Sequence, residues 1–316
     1  MIKLEILIMI KNKIIISITV LLGISSIYSQ WEPDKWLKDP VNDQVFSSYV
    51  DFMKYDQSLD FDLKTIDIKE EDGIKTEHIS FLSTSNERVT AYFITSMIGK
   101  INNYPTMIML HGGGKRGKDG IAKFSKLHAR DGINILSIDM QYFGERKTKL
   151  INDFTEKEKH DKLYNQESQY LSFVIQTVKD VGRSFDLLVK NYSIPKEKIG
   201  LMGFSRGAVL ASIVGGYDIR LKSVALIIGG HFDRFEDGHL AAACPANYVG
   251  RINPRPLLFL NGLYDSDFDA DRSVKPLHAL TKDSKIIWLE MGHGYPGDEN
   301  MLIVGEWIKK SLNKGK

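Results

Sequence analysis

Apolar residues recur along this chain in short continuous runs, separated by longer polar stretches of helical spacing. The runs "TMIML" (106–110), "INILSID" (133–139), "KIGLMGF" (198–204), "SVALIIG" (223–229), "PLLFLNG" (256–262) and "KIIWLEM" (285–291) each read as a strand buried on both faces, since such a strand has no solvent side to alternate with. Helices are expected between them, over 121–132, roughly 164–189, a run starting at 206, 271–280 and 298–312. Two earlier runs, "HISFLS" (78–83) and "VTAYFIT" (89–95), alternate and are joined through "TSNER", which predicts a hairpin. A helix is expected over 41–55, within an N-terminal extension (30–75) that otherwise shows no clear period. From residue 104 on, strands and helices alternate. That order predicts an α/β fold: a mostly parallel central sheet with helices on both faces and a small cap or none.

The N-terminus departs from this pattern. Lys11 and Lys13 precede "IIISITVLLGISSIYSQ", an apolar stretch short of the ~20 residues that a membrane span needs. A positive flank, a short apolar core and small residues near Ser29 read as a secretory signal peptide over 1–29. The protein is therefore expected to be exported, with no stable membrane insertion once the peptide is removed, and with 30–316 forming a single catalytic domain. Cys244 is the only cysteine, so no disulfide can form within the chain and the apolar core must hold the fold. The 42 basic and 40 acidic residues leave a net charge of +2, which argues against nucleic acid as a partner.

In a parallel α/β sheet, ligands bind at the carboxyl ends of the strands, so the chemistry should stand just after each apolar run. The 106–110 run ends in "HGGGKRG", starting at His111. The 198–204 run ends at Ser205, inside "GFSRG". The 256–262 run leads to "LYDSDFD", with Asp265, Asp267 and Asp269, and the 285–291 run leads to His293 in "GHGYP". His231 and Asp233 follow the 223–229 run and are further candidates to line a pocket. Serine, acid and histidine thus fall at three strand ends, in that order.

A serine hydroxyl is a weak nucleophile until a base takes its proton. Histidine is the suitable base near neutral pH, and a carboxylate fixes its tautomer. Gly-x-Ser-x-Gly between a strand and a helix is a nucleophile elbow, whose sharp turn needs the small neighbours Gly203 and Gly207. The five-residue pattern alone is a weak signal in a glycine-rich chain; its weight comes from the strand before it, the helix after it, the Gly-rich strand exit upstream, and the acid and base downstream. The Gly113 and Arg206 N–H groups are candidates for an oxyanion hole, with Gly112 as a helper and His111 as a residue bracing that loop. Asp265 is the preferred acid. Asp267, Asp269 and Asp271 are alternatives that also suit solvated loop charges or helix caps. "DSDFDAD" lacks the mid-loop glycine and closing glutamate of an EF-hand, so no metal is expected there.

The segments "YPTMIMLHGGG" (104–114), "ILSIDMQYFGER" (135–146), "IGLMGFSRGA" (199–208), "RPLLFLNGLYDSD" (255–267) and "EMGHGYP" (290–296) resemble the α/β-hydrolase superfamily, within it the dienelactone-hydrolase-like and acetyl-xylan-esterase-like serine esterases. The resemblance runs from about residue 76 to the end. It implies Ser205 as nucleophile, Asp265 as acid and His293 as base, with no cofactor. Dienelactone hydrolases proper carry cysteine where this chain has Ser205, so the lactone substrate does not transfer. Arg206 is bulkier than its counterpart in many relatives. The function expected is a serine carboxylic-ester hydrolase acting on small-molecule or carbohydrate esters with short acyl groups, acylated polysaccharide fragments among them. Two alternatives stand beside it: a serine peptidase of the prolyl-oligopeptidase type, and a non-catalytic binding protein on the same fold.

Overall fold

The computed structural model describes residues 34–148, 150–151 and 155–313; the segment read as a signal peptide, 1–29, lies outside them. Nine strands form one sheet: β1 (Lys64–Glu71), β2 (Ile74–Leu82), β3 (Arg88–Ser96), β4 (Thr106–Leu110), β5 (Asn134–Ile138), β6 (Ile199–Phe204), β7 (Val224–Ile227), β8 (Leu257–Gly262) and β9 (Lys285–Leu289), in the order β1-β2-β3-β5-β4-β6-β7-β8-β9. Pairing is antiparallel from β1 to β5 and parallel from β5 through β4 to β9. The continuous apolar runs became the parallel strands, and helices cover both faces of the inner ones: every residue of β4, β5, β7 and β8 is buried. The 285–291 run is the exception: β9 stands at the sheet edge, exposed at Lys285 and half-buried from Ile286 to Leu289, so it is not buried on both faces.

The helices are α1 (Asp43–Met53), α2 (Ala122–Arg130), α3 (Glu156–Lys159), α4 (Glu167–Lys190), α5 (Arg206–Tyr217), α6 (Lys275–Ala279) and α7 (Asp298–Leu312). One apolar cluster fills the side of the sheet under α4 and α5, and another fills the side under α2 and α7. The expected helix over 271–280 is a π turn, Ala270–Val274, followed by the short α6. The helix expected over roughly 164–189 is α4, and its middle, charged residues included, is buried. Its charges are paired: Asp180 with Arg146 at 2.6 Å and Asp186 with Arg220 at 2.8 Å, while Arg183 donates to the Leu59 carbonyl at 2.8 Å. Among the described residues, no helix is long and apolar enough to cross a membrane.

Two elements had no counterpart in the sequence reading. β1 is exposed along its whole length, an edge strand in which Ile66 and Ile68 face solvent among charges, so no buried face imprints a pattern. The second is α3, continued by a π turn, His160–Tyr164.

Candidate active site

The strand ends bring the predicted residues together. Ser205 leaves β6 and opens α5 with φ 53° and ψ −119°, a conformation costly for a residue with a Cβ. The sharp turn rests on its glycines. A Cβ on Gly203 would collide with the Gly207 carbonyl, and one on Gly207 with the Leu110 and His111 carbonyl oxygens. A serine at a helix start ordinarily caps the first N–H groups. Here the hydroxyl makes no such bond; it donates instead to Nε2 of His293 at 3.0 Å.

On its other side, His293 donates from Nδ1 to Oδ2 of Asp265 at 2.9 Å. Asp265 is buried, and its Oδ1 accepts the Asp267 and Phe268 N–H groups at 2.8 and 3.0 Å, which orients the carboxylate. The neighbouring aspartates are engaged otherwise. Asp269 caps the π turn by accepting from the Asp271 and Arg272 N–H groups, and Asp271 pairs with Lys275 at 2.6 Å. Asp267 approaches His293 only to 3.9 Å. Burial lowers the His293 pKa, but the hydrogen bond to Asp265 and the charges of Asp265, Asp267 and Asp233 outweigh it and hold the pKa above its ordinary value.

The glycine loop after β4 packs on this constellation. Gly112 lies against Ser205, where an added Cβ would stand 3.3 Å from the Ser205 β-carbon, and Gly113 lies against Arg206. His111 braces the loop. Its Nε2 accepts the Met140 N–H at 3.0 Å, so Nδ1 carries the proton and donates to the Gly112 carbonyl at 2.6 Å. Holding that carbonyl turns the Gly113 N–H, at the far end of the same trans peptide, away from His111. Arg206 is the first residue of α5, and the first N–H groups of a helix have no partner within it. This arrangement can deprotonate a hydroxyl and stabilise an oxyanion beside it.

No protein-family model and no curated protein sequence matches the chain. In three dimensions it is similar to acetyl xylan esterase 1 from a Thermoanaerobacterium species, with 13% identity and a TM-score of 0.62 over 87% of this chain and 97% of that one. An acetyl xylan esterase from a Paenibacillus species gives 13% and 0.62 over 88% and 98%. A cold-adapted esterase from an Arctic intertidal metagenomic library gives 16% and 0.60 over 80% and 100%. The fold is that of the α/β-hydrolases.

In this α/β-hydrolase fold, the pocket over Ser205 has a volume of about 240 Å³. Much of its wall is charged, with Glu156, Lys159, Arg206, Asp233 and Asp267 beside the aromatic rings of Phe204 and Phe268. The Arg206 side chain is buried and locked to the following loop: it pairs with Asp233 at 2.6 Å and with Glu236. Burial would raise the Asp233 carboxyl, yet the His160 hydrogen bond and the Arg206 charge hold it down at about 2, whereas burial pushes Glu236 up to about 7. His231, the other candidate at the β7 exit, is buried and stacked on Phe232 at 3.9 Å.

Sequence reasoning missed Glu156, Lys159 and Tyr164. One signal for them was present: "TEKE" (155–158) has the spacing of a capping box, and Thr155 does cap α3 by accepting the Glu158 N–H at 3.0 Å.

Proposed function

We propose that the chain is a serine carboxylic-ester hydrolase acting on short acyl esters, including acyl groups on polysaccharide fragments. The observation that carries the proposal is the unbroken path from Ser205 Oγ through His293 to the buried Asp265 carboxylate. In this reading His293 takes the hydroxyl proton while Ser205 Oγ bonds to the ester carbonyl carbon. The carbonyl π electrons move to oxygen, and the N–H groups of Gly113 and Arg206 receive that oxyanion, with Gly112 as a helper. The tetrahedral intermediate collapses, His293 returns its proton to the departing alkoxide, and an acyl-Ser205 ester remains. Water then repeats the sequence, with His293 as base, to release the carboxylic acid and restore the serine. Asp265 holds the imidazole in the tautomer that presents Nε2 as acceptor.

The small pocket supports short acyl groups. The exposed carboxylate of Glu156 and the half-buried one of Asp267 at its wall offer acceptors to a polyhydroxylated alcohol, which supports a sugar as leaving group. Acetyl xylan esterases among the similar structures support the same substrate class. We also propose that residues 1–29 direct export and are removed, and that the remainder acts as one catalytic domain.

The test is to treat the protein lacking residues 1–29 with a fluorophosphonate probe, then to assay nitrophenyl esters and acetylated xylo-oligosaccharides against peptide anilides. Labelling lost in Ser205→Ala, together with ester turnover above anilide turnover, supports the proposal. Absence of labelling points to a non-catalytic protein, and a preference for anilides points to a peptidase.

A further inference from the structure

One short helix reaches both halves of the oxyanion hole. Lys159, the last residue of α3, donates from Nζ to the Gly113 carbonyl at 2.7 Å and is itself steadied by Glu156 at 2.5 Å. His160, the next residue, bonds through Nε2 to both Asp233 carboxylate oxygens at 3.1 Å, and Asp233 holds the Arg206 guanidinium at 2.6 Å. The ring of Tyr164, one turn further on, lies 4.0 Å under that guanidinium. Gly113 and Arg206 are the residues whose N–H groups serve as oxyanion donors in the proposed mechanism.

Two features make these contacts more than packing. Lys159 and His160 side chains are only 5% and 6% exposed, and a buried cation is costly unless its hydrogen bonds are well made. The loop they reach is three successive glycines, Gly112 to Gly114, which no side chain of its own can pin. His111 fixes the Gly112 carbonyl, and Lys159 fixes the next one, so the peptides on both sides of the Gly113 α-carbon are held from outside.

The state of His160 follows from its partners. Nδ1 lies 2.7 Å from the Glu156 carbonyl oxygen and Nε2 faces a carboxylate; neither partner can donate, so both ring nitrogens must carry protons. The other groups facing the ring are Tyr164 and Phe235 at its edges and Arg206 beyond Asp233. Burial lowers the His160 pKa, but the bonds to Asp233 and the Glu156 carbonyl outweigh it and raise it.

We infer that Lys159 and His160 are positioning residues that set the separation of the two oxyanion donors, Lys159 through the Gly113 carbonyl and His160 through Asp233 and Arg206. The inference rests on the esterase reading of Ser205, and phosphonylation of Ser205 by a fluorophosphonate separates the two. The inactivation rate constant and reagent affinity are measured for the wild type, Lys159→Met, Lys159→Arg and His160→Phe, with melting temperatures as the folding control. The expected result is a fall in the rate constant of ~30-fold or more for Lys159→Met, since losing one oxyanion donor costs ~10²–10³. Affinity should stay within about threefold, and Lys159→Arg, which can still donate to Gly113, should recover most of the rate. A wild-type rate in Lys159→Met overturns the inference. A wild type that is not labelled at all overturns the esterase reading and this inference with it. Ring NMR of His160 in the wild type at pH 7 needs no variant to fold: two protonated nitrogens support the bracket, and a neutral ring overturns it.

Discussion

His111 and Met140 are joined by a single bond that decides the tautomer of a buried ring. The Met140 N–H points at Nε2 from 3.0 Å, leaving Nδ1 as the donor to the Gly112 carbonyl. Burial pushes the His111 pKa down, so the ring stays neutral and the tautomer persists through the working range. His111→Phe should preserve packing against Phe143, whose ring centroid lies 5.5 Å away, but release the Gly112 carbonyl. We expect kcat to fall ~10²-fold, the scale of one weakened oxyanion donor, with KM changed little. Steady-state kinetics on a nitrophenyl acetate would show it; an unchanged kcat would mean the loop needs no brace.

The acid assignment predicts a ranking. Asp265→Asn should lower kcat ~10⁴-fold, because an amide at that position favours the imidazole tautomer with Nε2 protonated. Asp269→Asn should cost little in rate, since Asp269 spends its carboxylate on capping. Asp267→Asn should also keep most of the rate. A three-variant comparison in which Asp267→Asn or Asp269→Asn is the crippled one would move the assignment.

Asp267 instead adds to the charges that set where the rate depends on pH. His293 must be neutral to accept the serine proton, and its pKa is held above the ordinary 6.5. Activity is therefore lost as pH falls through that raised value, so the acid limb of kcat/KM should have its midpoint above pH 6.5. Replacing Asp267 by Asn removes one of the charges that favour the imidazolium. The midpoint should then shift downward. A pH–rate profile of both proteins checks the sign, and an upward shift would contradict the electrostatic account.

Much of the site was legible because its residues sit where apolar strands stop. Ser205 and Asp265 follow β6 and β8, buried strands whose covered faces leave a run with no polar alternation. His293 follows β9, an edge strand that is only half-buried, where the apolar run marked the strand but not burial on both faces. The glycines at 203 and 207 were legible because backbone contact excludes a Cβ there. Lys159 and His160 were not. They stand at the junction of the short, charged α3 and the π turn after it, and they are anchored by hydrogen bonds to Gly113 and Asp233, distant in sequence, which leave no period behind. β1 escaped for the opposite reason: no helix covers it, and its isoleucines face water.

The elbow should be intolerant of even one methyl group. Gly207→Ala places a Cβ inside the Leu110 and His111 carbonyl oxygens, both backbone atoms that cannot rotate away. Overpacking of this kind costs ~1–3 kcal/mol, and here the displaced backbone also carries the oxyanion loop. Gly114→Ala, which meets nothing within 4 Å, is the matched control. Denaturant titration should show Gly207→Ala clearly less stable and Gly114→Ala close to the wild type; equal stabilities would mean the turn can relax.

The last expectation concerns acyl length. The pocket over Ser205 holds about 240 Å³, below the ~300–1,000 Å³ of sites that enclose drug-sized ligands. Its wall sets Lys159, Arg206, Asp233 and Asp267 beside Phe204 and Phe268, so a long alkyl chain would desolvate charges as well as meet apolar surface. Each methylene gains ~0.8 kcal/mol only where it is buried among apolar atoms. Acyl chains longer than the pocket should therefore gain little. kcat/KM should peak at acetyl or butyryl esters and fall steadily toward chains of ten carbons, with no activation at a lipid interface. A chain-length series on nitrophenyl esters measures it directly, and a maximum at long chains would show that the chain finds an apolar path past these charged groups, contrary to this account of the pocket wall.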